Sequence, residues 1–193
     1  MSIPGEISVS IVDLSSLGAP GRQQAAEILV AAFRERAPQA WPTLERALQE
    51  VDEFAAEDRL CRAAVDKSGR LLGWIGGIEA YAGHAWELHP LAVQPDYQGR
   101  GIGTQLALDL EQLVRARGAV TMFLGSDDET GQTSLGGADL YPDVLSNLAS
   151  IRDLKRHAFG FYLKLGYVIV GAIPDANGIG KPDILMAKRI QKA

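Results

Sequence analysis

Residues 86–104 read WELHPLAVQPDYQGRGIGT, from Trp86 to Thr104. The first half, through Val93, is apolar enough for a strand. Pro95 and Asp96 interrupt it, and a glycine-rich loop leads into a helix. The first amide N–H groups of a helix have no partner inside it, and the helix dipole places partial positive charge there. Gln98-Gly99-Arg100-Gly101-Ile102-Gly103 therefore predicts an anion-binding loop, suited to the pyrophosphate of a cofactor, with glycines where backbone must approach a ligand closely. The chemistry is then expected on the strand that precedes it.

The loop is not a Walker A loop, because no Gly-Lys-Ser/Thr follows at the required spacing. It is not the dinucleotide fingerprint either, since glycines at 99, 101 and 103 put the third one position early. It fits Gln/Arg-x-x-Gly-x-Gly/Ala at Gln98, Gly101 and Gly103. On the strand, period-two alternation predicts that Glu87, His89 and Leu91 share one face. Pro90 has no N–H for a ladder, so the strand should be bulged or splayed there.

Working outward, Ile7–Leu14 alternates as a first strand, broken by Ala19-Pro20-Gly21. Helical spacing runs from Gln23 to Arg36, and again from Trp41-Pro42-Thr43 to about Phe54. Arg59–Asp66 and Arg70–Ile78 form a hairpin, in which Gly73, Gly76 and Gly77 predict a bulge or a close approach. Beyond the loop, a helix ends near Arg117-Gly118. Val120–Leu124 reads as a strand, Gly125–Gly137 as a long surface loop and Tyr141–Leu154 as one or two short helical turns. His157–Lys164 is a helix, and Tyr167–Ile173 and Pro182–Arg189 are closing strands. This order predicts an α/β (α+β) fold. It has a mixed, mostly antiparallel central sheet of about seven strands, splayed at its centre, with helices on both faces, all in one domain over residues 1–193.

Composition narrows the classes. Of 193 residues, 47% are apolar, which suits a globular core, and the formal charge of −5 speaks against nucleic acid as a partner. An acidic cleft instead concentrates cationic substrates. The single Cys61 lies in an apolar run and predicts packing, not nucleophilic chemistry. With neither a disulfide framework, a signal sequence nor an apolar span for a membrane, the expected location is cytoplasmic. Three scattered histidines and one cysteine give no metal-ligand spacing.

Taken with the element order, the loop resembles that of the GCN5-related N-acetyltransferase superfamily, and the resemblance covers nearly the whole chain. Five stretches look like its aminoglycoside 6′-N-acetyltransferase group: WELHPL at 86–91, LGSDDE at 124–129, DLY at 139–141, FYLKLGY at 161–167, and PDANG followed by KPDI across 174–184. Ser126, where that group often has Thr, and the N-terminal third depart from the pattern. The resemblance implies direct transfer of acetyl from acetyl-coenzyme A to a primary amine of an aminoglycoside, the 6′-amine, in a ternary complex, with antibiotic resistance as the outcome and a homodimer as the assembly.

Site residues follow from the same resemblance. Leu91, Ala92, Val93, Gln98, Gly99, Arg100, Gly101, Ile102, Gly103 and Thr104 would hold the coenzyme. The Leu91 N–H would bond the thioester carbonyl. Glu87 would meet the amine and accept its proton, directly or through water, because an alkylammonium must lose a proton before it attacks. Tyr162 would serve the departing thiolate. His89 either carries a proton or orients the site. Asp127, Asp128 and, more weakly, Asp139 are candidate partners for substrate ammonium groups. Trp41 and Tyr81 line the cleft or belong to core and surface, and Asp183 faces the cleft or its own turn. Two other readings stay open: another cationic amine as acceptor (a polyamine, peptide N-terminus or metabolite), and a coenzyme-binding sensor without turnover.

Overall fold

The computed structural model describes residues 8–191, so Ile7 of the expected first strand lies outside the described residues. The chain forms two compact units, one ending at Ala119 and the other starting at Val120.

The first unit contains β1 (Ser10–Asp13), α1 (Gly18–Phe33), α2 (Leu44–Glu53), β2 (Arg59–Val65), β3 (Leu71–Ala80), β4 (Ala85–Val93) and α3 (Ile102–Ala116). Its strands pair antiparallel in the order β1-β2-β3-β4. α1 begins at Gly18, ahead of the expected Gln23. Pro20 sits in its first turn, where no N–H is needed. Gly21 packs so closely on Leu17 that a Cβ would lie 2.2 Å from the Leu17 Cβ. α2 starts behind Thr43, whose hydroxyl accepts from the Arg46 N–H at 3.3 Å. The β2–β3 turn is tied by Asp66, which accepts from the N–H groups of Ser68 and Arg70 at 2.8 and 3.1 Å.

The two faces of this sheet carry different helices. Ala63, Trp74, Ile78 and Ala92 join Ala25, Leu29, Val51 and Phe54 in the core under α1 and α2. The Trp74 indole donates to the Ala25 carbonyl at 3.0 Å. On the opposite face Arg62 pairs with Asp109 of α3 at 2.6 Å, and Gly77 lies against Leu110.

β3 and β4 carry the expected bulge. Ile75 pairs with Leu91 and Gly77 with Leu88, so Gly76 alone faces both His89 and Pro90. A Cβ on Gly76 would lie 2.3 Å from both the His89 carbonyl oxygen and the Phe54 ring, so the glycine is the space that the bulge needs.

The second unit contains β5 (Thr121–Asp127), α4 (Val144–Ala149), α5 (Phe159–Lys164), β6 (Val168–Ile173) and β7 (Asp183–Arg189). Its strands pair antiparallel in the order β5-β7-β6. β5 runs three residues beyond its expected end at Leu124. Gly125 permits this, because Asp183 lies over it and any Cβ there would meet the Asp183 carboxylate at 2.3 Å. Ser126 and Asp127 therefore belong to the strand and not to a loop, with Asp127 opposite Asp183. The segment expected as a surface loop buries Asp128, Gln132, Thr133 and Leu135. The ambiguous stretch resolves into α4, capped by Asp143, which accepts from the Ser146 N–H at 3.2 Å. α5 starts two residues later than expected, because the His157 ring accepts from the Phe159 N–H at 3.2 Å and holds the chain outside the helix. Among the described residues no helix is long and apolar enough to cross a membrane.

Replacing Gly76 with Ala forces either Phe54 or the β4 bulge to move. Urea unfolding should show a loss of about 1–3 kcal/mol. An unchanged midpoint would show that the bulge does not depend on this space.

Candidate active site

The bulge decides where the β4 side chains go. Ile78, in the α1–α2 core, pairs with Glu87, so Glu87 faces that side. Arg62 faces α3 and pairs with Ile75, which pairs with Leu91, so the Leu91 side chain faces α3. The expectation that Glu87, His89 and Leu91 share one face is corrected in its last member. The extra residue at His89-Pro90 resets the alternation, leaving Glu87 and His89 on the α2 face and Leu91 on the other. The backbone direction follows as well. Gln94 N–H donates to the Leu72 carbonyl at 2.9 Å, so the N–H groups of Val93 and Leu91, one and three residues earlier, point away from β3.

His89 is held from α2. Its Nε2 lies 3.4 Å from a carboxylate oxygen of Glu50, and its ring is 5.8 Å from that of Trp41. The Trp41 indole donates to the other Glu50 oxygen at 3.2 Å, and the Trp41 ring packs edge-on against Phe33. The hydrogen bond from His89 holds the Glu50 carboxyl below its ordinary value, against the opposing effect of burial, with further help from Trp41 and Arg59. Tyr81, by contrast, is 79% exposed in the turn between β3 and β4.

β4 then feeds the anion loop. The Gln98 side chain donates to the Val93 carbonyl at 3.1 Å, tying the loop to the strand end. Gly99 and Gly101 take φ of +73° and +81°, conformations that L side chains rarely adopt, and a Cβ on either would point into open space. Gly101 caps α3 without a side-chain hydrogen bond, leaving the amides of Ile102, Gly103 and Thr104 at the helix entrance. Arg100 stacks over the Tyr97 ring at 5.3 Å on the rim of the loop. This arrangement fits a phosphate group that is held by backbone donors.

In the second unit the carboxylates divide by burial. Asp128 is only 1% exposed. It accepts from the Gln132 N–H at 2.6 Å, the Thr133 N–H at 2.8 Å and the Thr133 hydroxyl at 2.7 Å. The structure thus gives Asp128 a different task from substrate contact: its lone pairs are spent on folding the segment that follows β5. Asp127 is exposed, accepts from the Asn177 amide and offers its backbone carbonyl to the His157 ring at 2.9 Å. Asp183 is its cross-strand neighbour. Burial, and then the Asp127 charge, push the Glu129 carboxyl up, while Lys181 acts in the opposite sense. Asp139 is exposed and accepts from the Tyr141 N–H at 3.2 Å. Tyr162 is buried between the rings of Phe161 and Tyr167, at 5.1 and 5.7 Å, and burial pushes its phenol up, keeping it protonated.

The model of the acetyltransferase (GNAT) family matches residues 23–136. The chain belongs to this family. Solved structures carry the likeness over nearly its whole length. An aminoglycoside 6′-N-acetyltransferase complexed with coenzyme A is 38% identical, at a TM-score of 0.85, over 95% of this chain and 98% of the other. The aminoglycoside 6′-N-acetyltransferase from Enterococcus faecium is 38% identical, at 0.83, over the same shares. An aminoglycoside 6′-acetyltransferase type Ii is 34% identical, at 0.68, over 97% and 99%. No curated protein matches the chain. The fold expected from the sequence is the fold shared with these acetyltransferases.

Three features of this family member escaped the reading of its sequence. Glu50 was merely one acidic residue on an amphipathic helix, and only the tertiary position of α2 brings it to His89. Asn177 meets Asp127 across 50 residues of chain. His157 sits just ahead of α5, near the helix start as expected, but its role in fixing the Asp127 carbonyl required the fold. Cys61 behaves as expected of a packing residue, with burial pushing its thiol up. Among the described residues no cluster of three or more His, Cys, Asp or Glu side chains is placed to hold a metal ion.

Asp128→Asn keeps the size of this side chain but removes the charge on three short hydrogen bonds. A loss of about 1–3 kcal/mol is expected in thermal unfolding, with faster proteolysis of residues 129–137. Unchanged proteolysis would refute the anchoring role.

Proposed function

We propose that the chain is a single acetyltransferase domain that moves acetyl from acetyl-coenzyme A to the 6′-amine of an aminoglycoside, by direct attack in a ternary complex. One observation carries this most strongly. β4 presents Glu87 on one face, turns its Leu91 and Val93 N–H groups away from β3, and runs straight into a glycine-opened helix entrance. The likeness to enzymes named for the aminoglycoside 6′ position supports the acceptor.

Acetyl-coenzyme A supplies an acyl group on a thiol leaving group. In this reading the amides at residues 99–104 bind its pyrophosphate, and the Leu91 N–H bonds the thioester carbonyl, where charge develops. Ala92 and Val93 run alongside the pantetheine arm. Glu87 binds the acceptor ammonium and takes its proton, directly or through water. Tyr162, kept protonated by burial, donates toward the departing sulfur. Asp127, Asp183 and, more weakly, Asp139 receive the other ammonium groups, and Trp41 supplies an apolar wall next to His89. The same acidic residues suit other cationic amines, so the acceptor must be decided by competition.

Purified protein with acetyl-coenzyme A should release free thiol on addition of kanamycin or tobramycin, and do so faster than with spermidine or a peptide amine. Silence across an aminoglycoside panel would refute the acceptor. Tight coenzyme binding with no product from any amine would favour a sensor. Glu87→Gln should lower kcat about 100-fold and Tyr162→Phe about tenfold, with coenzyme affinity held within about threefold. Weakened coenzyme binding of the same size as the kcat loss would remove these assignments.

A further inference from the structure

We infer that Glu50 is a positioning residue for acetyl transfer, acting through His89: it fixes the imidazole on the Glu87 side of β4 and favours its protonated form. The inference rests on the function proposed above. Three independent contacts carry it. The Glu50 carboxylate approaches His89 Nε2 at 3.4 Å and accepts from Trp41 Nε1 at 3.2 Å through its other oxygen. The Trp41 ring in turn packs against the imidazole at 5.8 Å. Both oxygens of Glu50 are therefore spent on orienting one ring pair, and its side chain is 18% exposed. A carboxylate in that position has no folding task comparable to that of Asp128, since neither partner is a backbone donor.

The location gives the arrangement its consequence. The bulge at His89-Pro90 leaves Glu87 and His89 together on the α2 face, and Glu50 reaches that face from α2. Arg59 of β2 belongs to the same row, paired with Ile78, which is paired with Glu87. The charged groups on this face of the imidazole include Glu87 from its own strand, Glu50 from α2, and Arg59 from β2, itself bridged to Glu53 at 3.4 Å. Glu50 lies within 3.4 Å of the ring. A carboxylate beside an imidazole stabilises imidazolium, so its removal must lower the His89 pKa.

The test is a double-mutant cycle with Glu50→Gln, His89→Ala and the pair, joined to an NMR titration of the His89 ring without substrate. Gln keeps the size of Glu and an acceptor for Trp41, so folding is preserved, and thermal unfolding checks it. In E50Q the His89 pKa should fall by about one unit, and kcat for the best acceptor should fall about tenfold with its alkaline limb moved to lower pH. In the H89A background, E50Q should have no further effect. An unmoved His89 titration, or an equal loss from E50Q in both backgrounds, overturns the inference. If no aminoglycoside is acetylated, the function proposed above fails by itself, and the titration still decides the Glu50–His89 pair.

Discussion

A proline in a central strand position sets the terms for the first unit. Pro90 offers no N–H to β3, so the ladder accommodates an extra residue beside Gly76. Glycine is required opposite, because the His89 carbonyl and the Phe54 ring occupy the volume of a side chain. This one irregularity produces two chemically distinct faces from a single strand. Upstream, Glu87 and His89 stay polar and half-buried near α2. Downstream, Leu91 turns to α3, and the backbone donors that point away from β3 lead toward the helix entrance. A regular strand would have put all three side chains on one face.

The carboxylates of the second unit show how burial sorts residues that look alike in sequence. Asp127 and Asp128 are adjacent, and both are equally attractive as ammonium partners when read as letters. Strand geometry points them in opposite directions. Asp128 turns inward and exchanges its hydration for three hydrogen bonds, which is the only way a buried charge is tolerated at modest cost. Asp127 turns outward to solvent, steadied by Asn177.

Much of this was legible beforehand because it depends on local chemistry. Glycines at 99 and 101 announce positive φ, Pro90 announces a bulge, and Gly76 announces the close approach that answers it. The boundaries that shifted did so through contacts distant in sequence. β5 outruns its apolar stretch because β7 continues to pair with it as far as Asp183. The polar segment after β5 is buried because a carboxylate supplies the acceptors that its backbone needs. The face of Leu91 was misplaced because alternation was carried through a bulge already recognised. Glu50 was invisible, since one glutamate on a polar helix face carries no signal until the helix is docked.

Electrostatics connect these parts to the kind of acceptor. The Glu129 carboxyl is pushed up first by burial and then by the Asp127 charge, while Lys181 acts in the opposite sense. Asp183 adds a further carboxylate across the ladder, and the chain as a whole carries −5. Like charges held together raise the free energy of the unliganded protein, and a cation bound among them relieves it. A polycationic acceptor gains at every such point, whereas a monoamine gains at one. The reactive amine, however, must arrive neutral at the acyl carbon. The same molecule must therefore be bound as a cation at its periphery and stripped of a proton at one nitrogen. That requirement separates the tasks of the carboxylates. In the proposed function the exposed Asp127 takes the first task, and Glu87, half-buried on β4, takes the second.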